Sequence, residues 1–181
     1  MLRLARAIDR INAAIGKVAC GLMIALVGLG ALTALLRYAG RPLGLSLTSN
    51  AFLEGQWYLF SAVFLLAAAW VLRENDHVRV DVLYGRLGPQ GRAWTDLLGT
   101  LLFLLPFCGL MLWATWPSVA ESWAVREVSP DPGGLPRYPV KALVPVAFVL
   151  LLLQGIAEII KVAARLRSGS TPPESHAAEG A

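Results

Sequence analysis

The chain has 181 residues, 56% of them hydrophobic and only 15% charged, with a net charge of +4. That charge is too sparse for an ordinary soluble domain, and the apolar residues gather into long blocks. The basic excess flanks these blocks rather than forming one patch, which excludes nucleic acid as its partner.

In chain order, residues 4–15 (LARAIDRINAAI) place Leu4, Ala7, Ile8, Ile11 and Ile15 on one helical stripe, with Arg3, Arg6 and Arg10 off it. That pattern suits an amphipathic helix lying on the inner membrane surface. The uncharged run 18–36 predicts a first span at about 18–37, because crossing a bilayer takes about 20 apolar residues. Its core and basic leader are too long for a cleaved signal peptide, so it reads as a span. Gly21, Ala25 and Gly28 put small residues on one side of it, a candidate helix-packing face. After a Gly/Ser/Pro-punctuated loop, the uncharged run 55–72 predicts a second span at about 54–72. Runs 97–120 and 142–157 predict a third and a fourth at about 95–117 and 140–160. Pro106 and Pro145 are expected kinks, tolerated where neighbouring helices re-satisfy the backbone. Residues 117–139 end in VSPDPGGLPRYP, whose prolines and glycines predict a shaped, extended loop. The predicted fold class is therefore an all-α integral membrane protein with four transmembrane helices. Amphipathic surface helices are expected at the N-terminus and between spans two and three. Residues 1–167 form the four-span membrane domain and 168–181 an aperiodic tail expected to be disordered and cytoplasmic.

With both termini cytoplasmic, the inner segments carry eleven of the Lys and Arg residues and the outer segments five. The positive-inside rule favours that orientation. Tyr38, Trp57, Tyr58, Trp116, Trp123 and Tyr138 then lie near the outer interface, and Trp70 and Trp94 near the inner one.

The inner loop opens with RENDHVRVDVLYGRL at residues 73–87, a burst of charge after an uncharged run. As a lone strand it would leave its backbone unpaired. As a helix over 76–87, it brings Val80, Leu83, Tyr84 and Leu87 onto one apolar stripe, flanked by Arg79, Arg86 and Asp81. A metal reading fails on ligand count, since His77 is the only histidine outside the tail and no cysteine lies nearby. Cys20 and Cys108 lie within apolar runs and read as small apolar filler. A docking surface is the preferred reading, and a plain solvated loop the alternative.

The run LRENDHVRVDVLYGRL, after EGQWYLFSAVFLLAAAW and before two further spans, resembles the small DctQ-type membrane subunit of tripartite ATP-independent periplasmic (TRAP) transporters. Its most recognisable element is His77, Val78, Arg79, Val80 and Asp81, and GLPRYPVKALVPVAFVLLLLQG resembles the loop and fourth span of the same family. The resemblance implies a non-catalytic subunit, in a bacterial inner membrane, packed beside a large transport subunit. That subunit would receive a small organic acid or similar solute from a periplasmic binding protein and move it inward with sodium. On that reading His77 to Asp81 dock the large subunit, while Arg41, Glu54, Glu121, Glu127, Asp131 and Arg137 are candidate periplasmic contacts.

The residues support that division of labour independently. A carrier places ionisable groups within its spans, and the four uncharged runs hold no Asp, Glu, Lys, Arg or His. A small multidrug exporter would need a membrane carboxylate, and a cytochrome would need span histidines as haem ligands. An enzyme would need a nucleophile with a base, whereas Thr33, Ser61 and Thr100 stand among apolar neighbours. No catalytic residue, cofactor or metal site is expected. A structural four-helix subunit of an unrelated membrane complex is the remaining alternative.

Overall fold

Long uncharged runs become helices here because a helix satisfies its backbone groups within the segment, which hydrocarbon demands. The computed structural model describes residues 1–45, 47–74 and 87–168. Its helices are α1 (Leu2–Gly40), α2 (Asn50–Glu74), α3 (Pro89–Gly99), α4 (Leu105–Ala124) and α5 (Tyr138–Ser168). A 3₁₀ turn, Arg41–Leu43, follows α1, and a π turn, Thr100–Leu104, joins α3 to α4 as one third span. Four helical stretches are long and apolar enough to cross a membrane: Leu2–Gly40, Asn50–Glu74, Gln90–Ala124 and Tyr138–Leu166. The protein is thus an all-α, multi-pass membrane protein, as its hydropathy predicts.

Spans one, two and four pack mutually, and the third leans chiefly on α5. α1 and α2 approach tightly at Gly16, where an added Cβ would lie 2.5 Å from Cγ of Trp70. On the other side of α5, a Cβ at Gly155 would lie 3.1 Å from the tips of Leu104 and Leu105. Small residues at these crossings let helices approach where lipid supplies no hydrophobic drive.

The first span departs from expectation. The N-terminal amphipathic segment does not form a separate surface helix; it continues into the span as one 39-residue helix. At 1.5 Å per residue α1 is about 58 Å long, nearly twice a hydrocarbon core of about 30 Å. The excess packs against the C-terminal half of α5, burying Ala5 and Ile8 against Ala157 with Leu153 and Ile160 alongside. Of the expected apolar stripe this contact buries Ile8, while Leu4, Ala7 and Ile11 stay exposed. The candidate packing face of Gly21, Ala25 and Gly28 is exposed, with open space beside both glycines, so among the described residues it meets no packing partner.

The expected kink at Pro106 takes the form of the π turn. Leu105 donates its amide to the carbonyl of Thr100, five residues back. Widening the turn just ahead of a proline relieves the clash of its ring with the preceding turn. Pro145 in α5 and Pro117 in α4 lie within continuous helix. The amphipathic helix expected over 76–87, including His77 to Asp81, lies outside the described residues except for Leu87, as does the tail beyond Ser168.

Candidate functional site at the two ends of the bundle

At the loop end, residues 125–137 connect α4 to α5 and fold back on themselves. Val128 pairs with Pro136 in an isolated antiparallel bridge. Ser129 N donates to Leu135 O at 3.1 Å and Arg137 N to Glu127 O at 2.8 Å. The reversal uses Gly133 at φ 70° and Arg126 at φ 48°, a region that favours glycine and strains most other residues.

One turn-spaced row on α2 holds this loop. The Asn50 amide donates to Pro132 O at 3.1 Å and the Tyr58 hydroxyl to Leu135 O at 3.3 Å. Between them Glu54, only 4% exposed, accepts Leu135 N at 2.5 Å and the Ser129 hydroxyl. Gly134 leaves room for this carboxylate; a Cβ there would stand 2.8 Å from Glu54 Oε2. Glu127 ties the loop to the other side, accepting the Ser122 hydroxyl at 2.7 Å and the Lys141 ammonium. These two bonds, Lys141 foremost, hold the Glu127 carboxyl below the usual carboxylate range. The positive charge of Arg137 acts on both Glu54 and Glu127, and its buried Nε has no hydrogen-bond partner.

The six expected periplasmic contacts therefore separate into two kinds. Arg41, Glu121 and Asp131 are exposed and present charge outward. Glu54 and Glu127 instead bind the loop to the bundle, and Arg137 is half-buried beside them. The row of Asn50, Glu54 and Tyr58 at four-residue spacing was the sequence signal for the clamp, since positions i and i+4 share a helix face.

At the opposite end, where α1 begins and α5 finishes, a polar cluster joins α1 to α5. The Asn12 amide donates to Gln154 Oε1 at 2.6 Å. Gln154 in turn donates to Asp9 and Glu158, each at 2.9 Å. Lys161 bridges the same two carboxylates, at 3.1 Å to Asp9 and 2.5 Å to Glu158. Gln154 is 0% and Asn12 1% exposed, and Asn12 Oδ1 has no partner. Because Gln154 must donate to two carboxylates, its oxygen faces Asn12, which fixes the direction of the whole chain of bonds. Sequence reading missed this clasp. The two amides inside or beside apolar runs were its only signal.

Between the ends, Thr33 accepts a hydrogen bond from Gln56 at 3.1 Å, pairing α1 with α2. An open groove of about 550 Å³ between α4 and α5 is lined by apolar side chains, among them Trp116, Trp123, Pro145 and Val149. Among the described residues no three His, Cys, Asp or Glu side chains converge as a metal site.

Residues 49–165 match the family model described as "Tripartite ATP-independent periplasmic transporters, DctQ component". The chain belongs to the DctQ family. It is a small membrane component of the TRAP type, and the family works together with a large membrane subunit and a periplasmic binding protein. Comparison with curated proteins and with solved structures gave no match. The match to the DctQ model takes in spans two to four, the clamped loop, and the α5 half of the clasp. The α1 half, Asp9 and Asn12, precedes it.

Proposed function

We propose that this DctQ component is the non-transporting partner within its TRAP system. It sits in the bacterial inner membrane with both termini cytoplasmic, beside the large subunit that carries the solute. Its loop end faces the periplasm and helps the large subunit receive a solute-loaded binding protein, through Arg41, Glu121 and Asp131. The large subunit then takes up a small organic acid or similar solute with sodium. The segment His77, Val78, Arg79, Val80 and Asp81 docks the large subunit on the cytoplasmic side, with no catalytic or metal-binding part.

One observation carries this reading: the polar side chains within the bundle join helix to helix. Thr33 with Gln56, and Asn12 with Gln154, link α1 to its neighbours, and Glu54 holds a loop. A carrier site instead converges such groups on a cavity at mid-membrane. The test is reconstitution. Vesicles holding this chain with the large subunit and loaded binding protein should take up solute, and vesicles lacking either partner should not. Uptake by vesicles holding this chain alone would overturn the proposal. Arg79→Gln and Asp81→Asn should each reduce co-purification with the large subunit while chelators leave transport unchanged.

A further inference from the structure

The terminal extension of α1 carries a second organised surface, pointing away from the clasp. Successive helical residues turn by about 100°, which puts Arg3, Arg6, Arg10 and Lys17 within an arc of about 60°. The opposite side of the same helix is committed, with Ala5, Ile8, Asn12, Gly16 and Ala19 buried. The packing therefore aims the basic stripe outward, and all four residues are exposed. Among the described residues none of the four joins an ion pair, and Arg6 makes only a bond to its own helix at Leu2 O, 3.4 Å. At the same end, by contrast, Lys161 and Arg73 are each paired with acids.

Two features place the span end of this stripe against the bilayer. Lys17 directly precedes the uncharged run that crosses the membrane. Beside the stripe runs an exposed apolar line, Leu4 at 57%, Ile11 at 51% and Val18 at 57%. At the same seven-residue spacing that line continues onto the span through exposed Ala25 and Leu32, the latter 45% exposed. Cations bordering an apolar face at a membrane boundary fit a phosphate layer above hydrocarbon.

We infer that the span end of the stripe, Lys17 and Arg10, binds the headgroups of anionic phospholipids in the leaflet at the terminal end. Depth grades the four residues. Lys17 stands at the boundary, and Arg10 lies about 10 Å further along the axis, within reach of the headgroup layer on its long side chain. Arg6 and Arg3 lie about 16 and 21 Å away, beyond a screening length of about 8 Å at physiological ionic strength. Lys17 and Arg10 are therefore the principal contacts. The inference needs only that α1 spans a membrane, and it stands apart from the transport reading.

The test uses the full chain, extracted into a neutral detergent and titrated with phosphatidylglycerol or phosphatidylcholine, with bound lipids counted by native mass spectrometry. The parent chain should retain phosphatidylglycerol preferentially, and added salt should erode the preference. Each headgroup-level cation is worth roughly a fivefold preference, so Arg10→Gln with Lys17→Gln should remove most of it. Arg10→Lys with Lys17→Arg, which conserves charge, should preserve it, and Arg3→Gln should change it less than about twofold. Circular dichroism identifies any variant that has lost its helices, and the charge-conserving pair then carries the comparison. Absence of any preference in the parent would overturn the inference, as would its survival in the double Gln variant. So would an equal loss from Arg3→Gln, which would mean that overall charge matters and position does not. If the stripe governs retention of the large subunit and leaves lipid unaffected, the occupant is protein and the inference fails.

Discussion

Replacing Gln154 by Leu tests whether the clasp holds α1 to α5. The residue is fully buried and contacts Asn12, Asp9 and Glu158 at once. In Gln154→Leu the Asn12 amide loses its acceptor while its oxygen already lacks a donor. A buried polar group left unsatisfied costs about 1–3 kcal/mol. Asp9 and Glu158 lose one donor each but keep Lys161, so neither becomes an unpaired buried charge. The expected loss is about 2–3 kcal/mol. Removing both amides, as in Asn12→Leu with Gln154→Leu, leaves no orphan and should bring the protein back to within about 1 kcal/mol of the parent. Asn12→Leu alone exchanges one orphan, Asn12 Oδ1, for another, Gln154 Oε1, and should cost little. The coupling between the two positions should then be about 1–2 kcal/mol, at the upper end for hydrogen bonds between membrane helices. Unfolding in mixed micelles titrated with dodecyl sulfate, followed by far-ultraviolet circular dichroism, measures all four members of the cycle. If Gln154→Leu unfolds within about 0.3 kcal/mol of the parent, and the coupling is indistinguishable from zero, the clasp reasoning is wrong.

Three other outcomes can be checked directly. Gly16→Val places a side chain where Trp70 already lies; overpacking of this kind costs about 1–3 kcal/mol and should shift tryptophan fluorescence, with an unchanged spectrum counting against the α1–α2 contact. The folded-state pKa of Glu127 lies below its ordinary value of 4.5, so its contribution is complete above that pH and declines as pH falls through the folded value. Amide exchange at Arg137, which bonds Glu127 O, should therefore be steady from neutral pH down to about 5, once corrected for intrinsic rates; a loss of protection beginning at pH 6 would refute the assignment. In a background with Cys20 and Cys108 replaced by Ala, a cysteine at Asp131 should react with an impermeant maleimide added to intact cells, and one at Ser168 should not; the reverse pattern would invert the proposed orientation.

The sequence by itself determined the four helical spans, because a segment in hydrocarbon must satisfy its backbone internally and composition and length decide that alone. The prolines and glycines of residues 128–139 likewise announced a shaped loop, and ordered motifs such as HVRVD pointed to the DctQ family. What composition left open was which faces meet. Lipid makes every apolar face of a helix equivalent, so hydropathy could not rank Gly16 over Gly21 as the site of close approach. Nor could it show that Glu54 is buried beneath a loop while Glu121 faces outward. Those outcomes depend on pairs such as Asn12 with Gln154, 142 residues apart, and Glu54 with Leu135, 81 apart. Only the tertiary arrangement brings such groups within hydrogen-bonding distance, and it turned an expected surface helix into the first half of α1.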